Sequence, residues 1–172
     1  MSHLQPEIGA GDHRQGPADA PLQLVEYGDY QCSYCGEAYP AIKAAQQALG
    51  DKLAFVFRNF PLPDVHPQAQ GAALAAEAAA QQGKFWEMHN ALYEHQNQLD
   101  DQHLEGFAQR LGLDVERFKR DMQSQAAADK VEADFESGIR SGVNGTPSFF
   151  VNGQKFDGNW QGQGLLEFLQ QQ

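Results

Sequence analysis

The only two cysteines of the chain are separated by two residues and stand where a predicted strand meets a predicted helix. The strand is the stretch PLQLVEYGDY, residues 21–30, in which apolar side chains alternate before a buried-looking end. The helical pattern runs from about Cys32 through Cys35 to Gly50, and glycine commonly follows the last turn of a helix. Cys32 is therefore expected at the N-terminus of a helix that begins directly after a strand.

Three roles are open to this cysteine pair: packing in the core, binding a metal ion, or redox chemistry. A structural zinc site takes four ligands, of which the pair supplies two. The histidines that could complete such a site lack a spacing typical of ligands: His66, His89, His95 and His103. Redox chemistry is favoured, because unpaired N–H groups at a helix N-terminus stabilise a thiolate and a second thiol one turn later can reach the first sulfur. The sequence therefore predicts a redox-active pair and no metal site.

Charge and hydropathy argue against several classes of partner. The formal net charge is -11 and the 12 Lys and Arg residues are dispersed, so no nucleic-acid partner is expected. No apolar run approaches the roughly 18 residues of a membrane span, so no membrane partner is expected either. Residues 1–20 are rich in Gly, Pro and polar side chains, lack the apolar stretch of a secretory signal, and are expected to form a flexible arm. The expected location is the cytoplasm, or the periplasm if a leader segment has been removed.

The residue pattern after Gly50 changes from strand to helix and back to strand. It predicts, in order, a strand, a helical block, a pair of short strands and a helix, at 52–60, 66–141, 146–156 and 162–172. The short strands flank Asn152 and Gly153, a dipeptide that strongly favours a hairpin turn. The expected architecture is an α/β domain made of residues 21–65 and 142–172. The helical block 66–141 is expected to form an insertion between its β-α-β and β-β-α halves.

Three stretches of the sequence resemble a known family. LVEYGDYQCSYC resembles the active-site segment of the thioredoxin superfamily. FPLPDVHPQAQGAALAAEAAAQQGKFWEMHNALYEHQ resembles the helical insertion of DsbA-like disulfide oxidoreductases, and GVNGTPSFFVNGQKFDG resembles their Thr–cis-Pro segment with its hairpin. The resemblance covers about residue 17 to the C-terminus. It implies a thioredoxin-like fold with an inserted helical subdomain.

The resemblance also implies roles for three residues near the cysteine pair. Cys32 matches the exposed nucleophile of the family, and Cys35 matches the resolving cysteine. Glu26, six residues before Cys32, matches a buried acid beneath the second cysteine. Burial would raise the pKa of Glu26 and let it exchange a proton with Cys35. The alternative for Glu26 is a surface position on an edge strand.

Four further residues are expected to contact substrate. Pro147 matches the cis-proline that faces the disulfide, with an ordinary turn proline as the alternative, and Thr146 would offer its backbone to an extended substrate segment. Ser33 and Tyr34 lie between the cysteines and carry no positive charge. The pKa of the Cys32 thiol is therefore expected to be lowered, but less than in strongly oxidising relatives.

The function predicted from the sequence is thiol–disulfide exchange between the Cys32–Cys35 pair and protein or small-molecule thiol and disulfide substrates. The direction of net transfer depends on the reduction potential, which a sequence pattern does not assign. The chain is expected to act as a monomer without a metal or organic cofactor. Two alternatives remain: a non-catalytic thioredoxin-fold binding module, and a redox sensor whose disulfide changes a partner.

Overall fold

The computed structural model describes residues 2–172, and its single sheet has the strand order β1-β3-β2-β4-β5. The strands are β1 His13–Gln15, β2 Leu22–Gly28, β3 Leu53–Asn59, β4 Ser148–Val151 and β5 Gln154–Phe156. Strands β2 and β3 are parallel, while the other neighbouring pairs are antiparallel. A parallel pair needs a crossover connection, and the first helix supplies it.

Seven α-helices accompany the sheet in the described residues, and five of them lie between β3 and β4. The helices are α1 Ser33–Leu49, α2 Ala69–Ala80, α3 Phe85–Glu94, α4 Asp101–Arg110, α5 Val115–Met122, α6 Gln125–Arg140 and α7 Gly164–Gln170. From β2 onward the chain therefore runs β-α-β, then a helical segment, then β-β-α, which is the order that the sequence predicts. The hairpin between β4 and β5 turns at Asn152 and Gly153, both with positive φ, as the dipeptide indicates.

Alternation along β2 decides what each face of the sheet buries. Leu24 and Glu26 point to one face, where the buried partners of Glu26 on the adjacent strands are Phe57 and Phe149. Helices α1 and α7 cover this face through buried apolar side chains such as Cys35, Ala38, Ile42, Leu165 and Leu169. Tyr27 points to the opposite face, into a second core cluster. The side chain of Glu26 thus lies between the sheet and α1, on the face that Cys35 also contacts.

The N-terminal segment differs from the flexible arm expected for residues 1–20. Met1 lies outside the described residues, but 13–15 form the edge strand β1, paired antiparallel with β3. Leu4 is buried, and its N–H donates to the carbonyl of Gly153 at 2.8 Å. The guanidinium of Arg58 donates to both carboxylate oxygens of Asp12 at 2.9 Å. The expectation failed because β1 is short and polar, so backbone pairing rather than an apolar pattern places it.

Candidate active site

Cys32 is the residue that begins the active-site helix. It is the N-cap of α1, with φ -69° and ψ 124°, and this extended conformation aims its sulfur at the first turn. The N–H of Cys35 donates to Cys32 Sγ at 3.4 Å, and both cysteines are free thiols. The Cys32 N–H donates to the carbonyl of Asp29 at 3.1 Å, which closes the loop between β2 and α1. The two sulfurs therefore sit together at a helix N-terminus, as the spacing predicts.

Cys32 is less accessible than the exposed nucleophile that the resemblance implied. Its relative exposure is 5%, and the Thr146 carbonyl lies 3.6 Å from Cys32 Sγ, where it accepts from the thiol when Cys32 is protonated. The side chain of Tyr34, by contrast, is 58% exposed.

The surroundings of Cys32 favour its thiolate. The pKa of Cys32 is lowered to about 5, first by a hydrogen bond from the Cys35 thiol and further by hydrogen bonds from the side chain of Thr146 and from the N–H groups of Cys35 and Tyr34. Partial burial opposes this shift and is outweighed. At neutral pH Cys32 is therefore ionised, which is the form that acts as a nucleophile.

Cys35 is shifted in the opposite direction. Burial raises its pKa well above the usual thiol value, and its hydrogen bond to Cys32 together with the charges of Glu26 and Cys32 raises it further. Cys35 is fully buried on the sheet side of α1. The two cysteines, two residues apart, thus differ in protonation: Cys32 is ionised and Cys35 is protonated.

Glu26 is a buried acid and not a surface residue of an edge strand. Its strand β2 lies between β3 and β4, and its side chain is only 1% exposed. Burial raises the pKa of Glu26 to about 8, and the charge of Cys32 contributes in the same direction. Within residues 2–172 its Oε2 atom has no hydrogen-bond partner. The carboxyl group is therefore available to take up or release a proton near neutral pH.

The segment before β4 completes the cover of the cysteine pair. The Thr146–Pro147 peptide bond is cis. The hydroxyl of Thr146 is buried and has no hydrogen-bond partner in the described part of the chain, so it is free to donate to the Cys32 thiolate. A surface pocket beside this segment is lined by Tyr34, Thr146, Pro147, Trp160 and Gln161. Ser33 is exposed at the start of α1.

Several residues of the site give no motif in the sequence. Asp29 is buried and accepts from the N–H groups of Gln31 and Leu62, at 2.8 and 3.0 Å, and from His66 Nδ1 at 2.8 Å. Trp160 packs against the sheet residue Phe149, with ring centroids 6.1 Å apart. These residues lie in loops that come together only in the fold, so only the three-dimensional arrangement reveals them.

The candidate zinc ligands considered from the sequence do not form a site in the structure. His89 is buried and its Nδ1 is hydrogen-bonded to the hydroxyl of Tyr30 at 2.8 Å. Burial lowers the pKa of His89 well below its usual value and keeps the ring neutral. His66 pairs with Asp29, and His95 Nδ1 donates to a carbonyl of its own helix. Among residues 2–172 no three His, Cys, Asp or Glu side chains are grouped to hold a metal ion.

Comparison with solved structures identifies the fold. A thioredoxin-like oxidoreductase from Silicibacter pomeroyi DSS-3 is 28% identical, with a TM-score of 0.83 over 95% of this chain and 92% of that one. BdbD from Bacillus subtilis in its oxidised form is 25% identical, with a TM-score of 0.84 over 99% and 96%. The thiol-disulfide exchange protein alpha-DsbA2 from Wolbachia pipientis shares the fold at 21% identity and a TM-score of 0.78, over 94% and 85%.

Curated relatives match in sequence but are much longer. A protein of Salinispora arenicola named Na(+)/H(+) antiporter NhaA 1 is 46% identical over 156 residues, which are 90% of this chain and 24% of the relative. A protein of Herminiimonas arsenicoxydans named Na(+)/H(+) antiporter NhaA is 41% identical over 167 residues, or 97% and 26%. The chain thus spans about a quarter of the length of these relatives. In the described residues no helix combines the length and the apolar character that a membrane crossing needs.

A family model described as thioredoxin matches residues 9–171 of the chain. Together with the solved structures, this match confirms the thioredoxin-like fold and the DsbA-like resemblance predicted from the sequence. The chain belongs to the thioredoxin family.

Proposed function

We propose that the chain catalyses thiol–disulfide exchange on protein or small-molecule substrates through Cys32 and Cys35. The observation that carries this proposal is the geometry of the pair: Cys32 caps α1 with its sulfur accepting from the Cys35 N–H at 3.4 Å, and Cys35 is fully buried behind it. This arrangement lowers the pKa of Cys32 to about 5 and raises that of Cys35. A structural pair in a core has no need of an ionised member. An exchange catalyst needs one thiolate to attack and one protonated thiol held in reserve.

In the reducing direction the Cys32 thiolate attacks one sulfur of a substrate disulfide. A Cys32–substrate disulfide forms, the substrate S–S bond breaks, and the first substrate sulfur leaves as a thiolate that takes a proton from water. Cys35 then loses its proton and attacks Cys32 Sγ, which forms the Cys32–Cys35 disulfide and releases the second substrate sulfur. The oxidising direction follows the same steps in reverse.

Glu26 is proposed as the proton acceptor for Cys35. While Cys32 is a thiolate, its negative charge helps to keep the pKa of Glu26 at about 8. Formation of the mixed disulfide removes that charge, so the pKa of Glu26 falls at the step where Cys35 has to be deprotonated. The carboxylate therefore becomes available when a base is required.

The substrate is proposed to bind in the pocket beside the cysteines. Tyr34 and Trp160 provide aromatic surface, and the backbone of Thr146 can pair with an extended segment in the manner of strand addition. Pro147 lines the same pocket. Ser33, exposed at the first position of α1, is expected to contact the substrate chain at its rim.

The direction of net transfer follows from how strongly the reduced form is stabilised. Thiol pKa values of about 7 accompany the reductant thioredoxin and about 3.5 the oxidant DsbA. The pKa of about 5 for Cys32 lies between them. We therefore expect a reduction potential between about -270 mV and about -120 mV, the values of those two proteins.

The names of the longer relatives do not change this proposal. The chain matches about a quarter of each relative, so we infer that this quarter is a thiol–disulfide exchange domain and that antiport belongs to the remainder. The binding-module and redox-sensor alternatives require no turnover. An assay of turnover therefore separates them from an enzyme.

Selective alkylation tests the proposed function. At about pH 6 a thiol of pKa 5 is about 90% ionised, whereas an ordinary thiol is less than about 1% ionised. Iodoacetamide should therefore add once, at Cys32, as mass spectrometry of the intact chain and its peptides reports. The modified chain should lose its ability to accelerate the reduction of insulin disulfides by dithiothreitol.

The matched control is chain that is oxidised before the same treatment and reduced afterwards. It should keep full activity, since a disulfide does not react with iodoacetamide. Two results would contradict the proposal: an alkylation midpoint at or above about pH 8.5, the free-thiol value, or insulin reduction that survives modification of Cys32.

A further inference from the structure

Gln96 reaches the active site from the helical segment. It lies in the loop between α3 and α4, directly after His95, the C-cap residue of α3. The loop is held in place at both sides: His95 Nδ1 donates to the carbonyl of Ala91 at 2.8 Å, and the side chain of Leu99 is 2% exposed. Gln96 itself is half-buried. Its side chain therefore extends from a fixed backbone.

The amide of Gln96 binds the backbone on both sides of Gln31. Nε2 donates to the carbonyl of Tyr30 at 2.9 Å and to the carbonyl of Cys32 at 2.8 Å, which uses both of its hydrogens. The Cys32 carbonyl also accepts from the N–H of Gly36 at 3.1 Å, the first backbone bond of α1. Both lone pairs of this carbonyl are thus satisfied, one by the helix and one by Gln96.

A glycine in the first turn of α1 makes room for this amide. A Cβ atom at Gly36 would lie 2.0 Å from Gln96 Oε1 and 2.7 Å from its Cδ, well inside van der Waals contact. Glycine is a poor helix former, so its presence inside a helix calls for a local reason. The space that the Gln96 side chain occupies beside Gly36 provides that reason.

We propose that Gln96 is a positioning residue for the exchange reaction: it fixes the Cys32 backbone so that the Cys35 N–H stays directed at Cys32 Sγ. The angle it restrains is ψ of Cys32, which at 124° brings the sulfur next to the first turn of α1. The inference rests on the proposed function. It adds that the helical segment sets the reactivity of the cysteine pair through one side chain.

The variant Gln96→Met tests the proposal, since methionine keeps the length and volume but donates no hydrogen bond. The midpoint of the alkylation rate against pH should rise by about one unit, which slows alkylation at about pH 5 roughly fivefold. The reduced form should also lose about tenfold in its equilibrium with glutathione, which moves the midpoint potential about 30 mV more negative. The exposed neighbour Asn97, changed to alanine, should leave both values unchanged.

A double-variant cycle with Gly36 separates positioning from general packing. Gly36→Ala alone should displace the amide and reproduce both shifts of Gln96→Met, with a lower Tm. In a Gln96→Ala background the same change should be tolerated and raise Tm, because the obstruction is gone and alanine favours the helix. If Gln96→Met does not fold, the alkylation midpoint is read on Gly36→Ala and on the double variant.

Two patterns would overturn the inference. In the first, Gln96→Met shows the wild-type alkylation midpoint and potential, while the wild-type chain reduces insulin; the proposed function then stands and the positioning role fails. In the second, Gly36→Ala lowers Tm equally in both backgrounds, which would show that the Gln96 side chain does not pack against position 36. A wild-type chain without exchange activity is a different result, and it rejects the proposed function.

Discussion

Replacing Cys32 by serine should reduce the acceleration of insulin-disulfide reduction to the rate seen with dithiothreitol alone. A serine hydroxyl neither ionises at neutral pH nor forms a disulfide, so the first step has no nucleophile. Cys35 cannot take over, because it is fully buried and its pKa is raised. The loss should be complete within the sensitivity of the turbidity assay.

Replacing Cys35 by serine should have a different effect. Cys32 would still attack, but no thiol would resolve the intermediate, so mixed disulfides should accumulate. Incubation with oxidised glutathione should yield one stable glutathione adduct per chain, seen by mass spectrometry, whereas the wild type should show only the internal disulfide. Insulin reduction by Cys32→Ser at the wild-type rate, or failure of Cys35→Ser to hold an adduct, would contradict the assigned roles. Thermal unfolding of both variants checks that each is folded.

Replacing Glu26 by glutamine should change how stability depends on pH. The pKa of Glu26 is raised from 4.5 to about 8 in the folded chain, so the folded state binds a proton that the unfolded state has released in this interval. This stabilisation is fully present below about pH 4.5 and is lost as the pH rises through about 8. The glutamine variant lacks this loss. The free energy of unfolding of the variant minus that of the wild type should therefore increase by on the order of 5 kcal/mol between about pH 4 and about pH 9.

Urea unfolding of the two reduced proteins at several pH values measures this difference. The matched control is Glu37→Gln, an exposed carboxylate on α1, whose stability should run parallel to that of the wild type. Glu26→Gln should also prolong the life of the mixed disulfide by about 10²-fold or more, the usual contribution of a general base. Parallel pH profiles for wild type and Glu26→Gln would mean that Glu26 is not a protonated buried acid.

The sequence indicates the position of Cys32 because helix start signals are local. Glycine at position 50, the apolar alternation before Cys32 and the two-residue cysteine spacing each concern neighbouring residues. The burial of Glu26 is a different case, because it depends on which strands flank β2. That order places β3 on one side and β4, more than 100 residues later, on the other, and only the family resemblance indicated it.

The features that the sequence does not indicate, the role of Gln96 and the strand β1, depend on contacts between segments that are distant in the chain. Gln96 is 64 residues from Cys32, in a stretch whose helical pattern attracts attention to apolar residues instead. The edge strand β1 has the polar sequence HRQ, which carries no strand periodicity. Its place is set by backbone pairing with β3 and by Arg58, which binds Asp12 across the fold. Propensity and pattern contain no information about such partners.

The most direct test of the account is a redox titration of the Cys32–Cys35 pair. The chain is equilibrated in a series of glutathione buffers and quenched with an alkylating agent. Its mass, measured by mass spectrometry, then reports the number of free thiols. We expect one two-electron transition without a stable glutathione adduct, with a midpoint between about -270 mV and about -120 mV. If both thiols stay free throughout this range, the pair does not exchange disulfides, and the chain is a thioredoxin-fold binding protein instead.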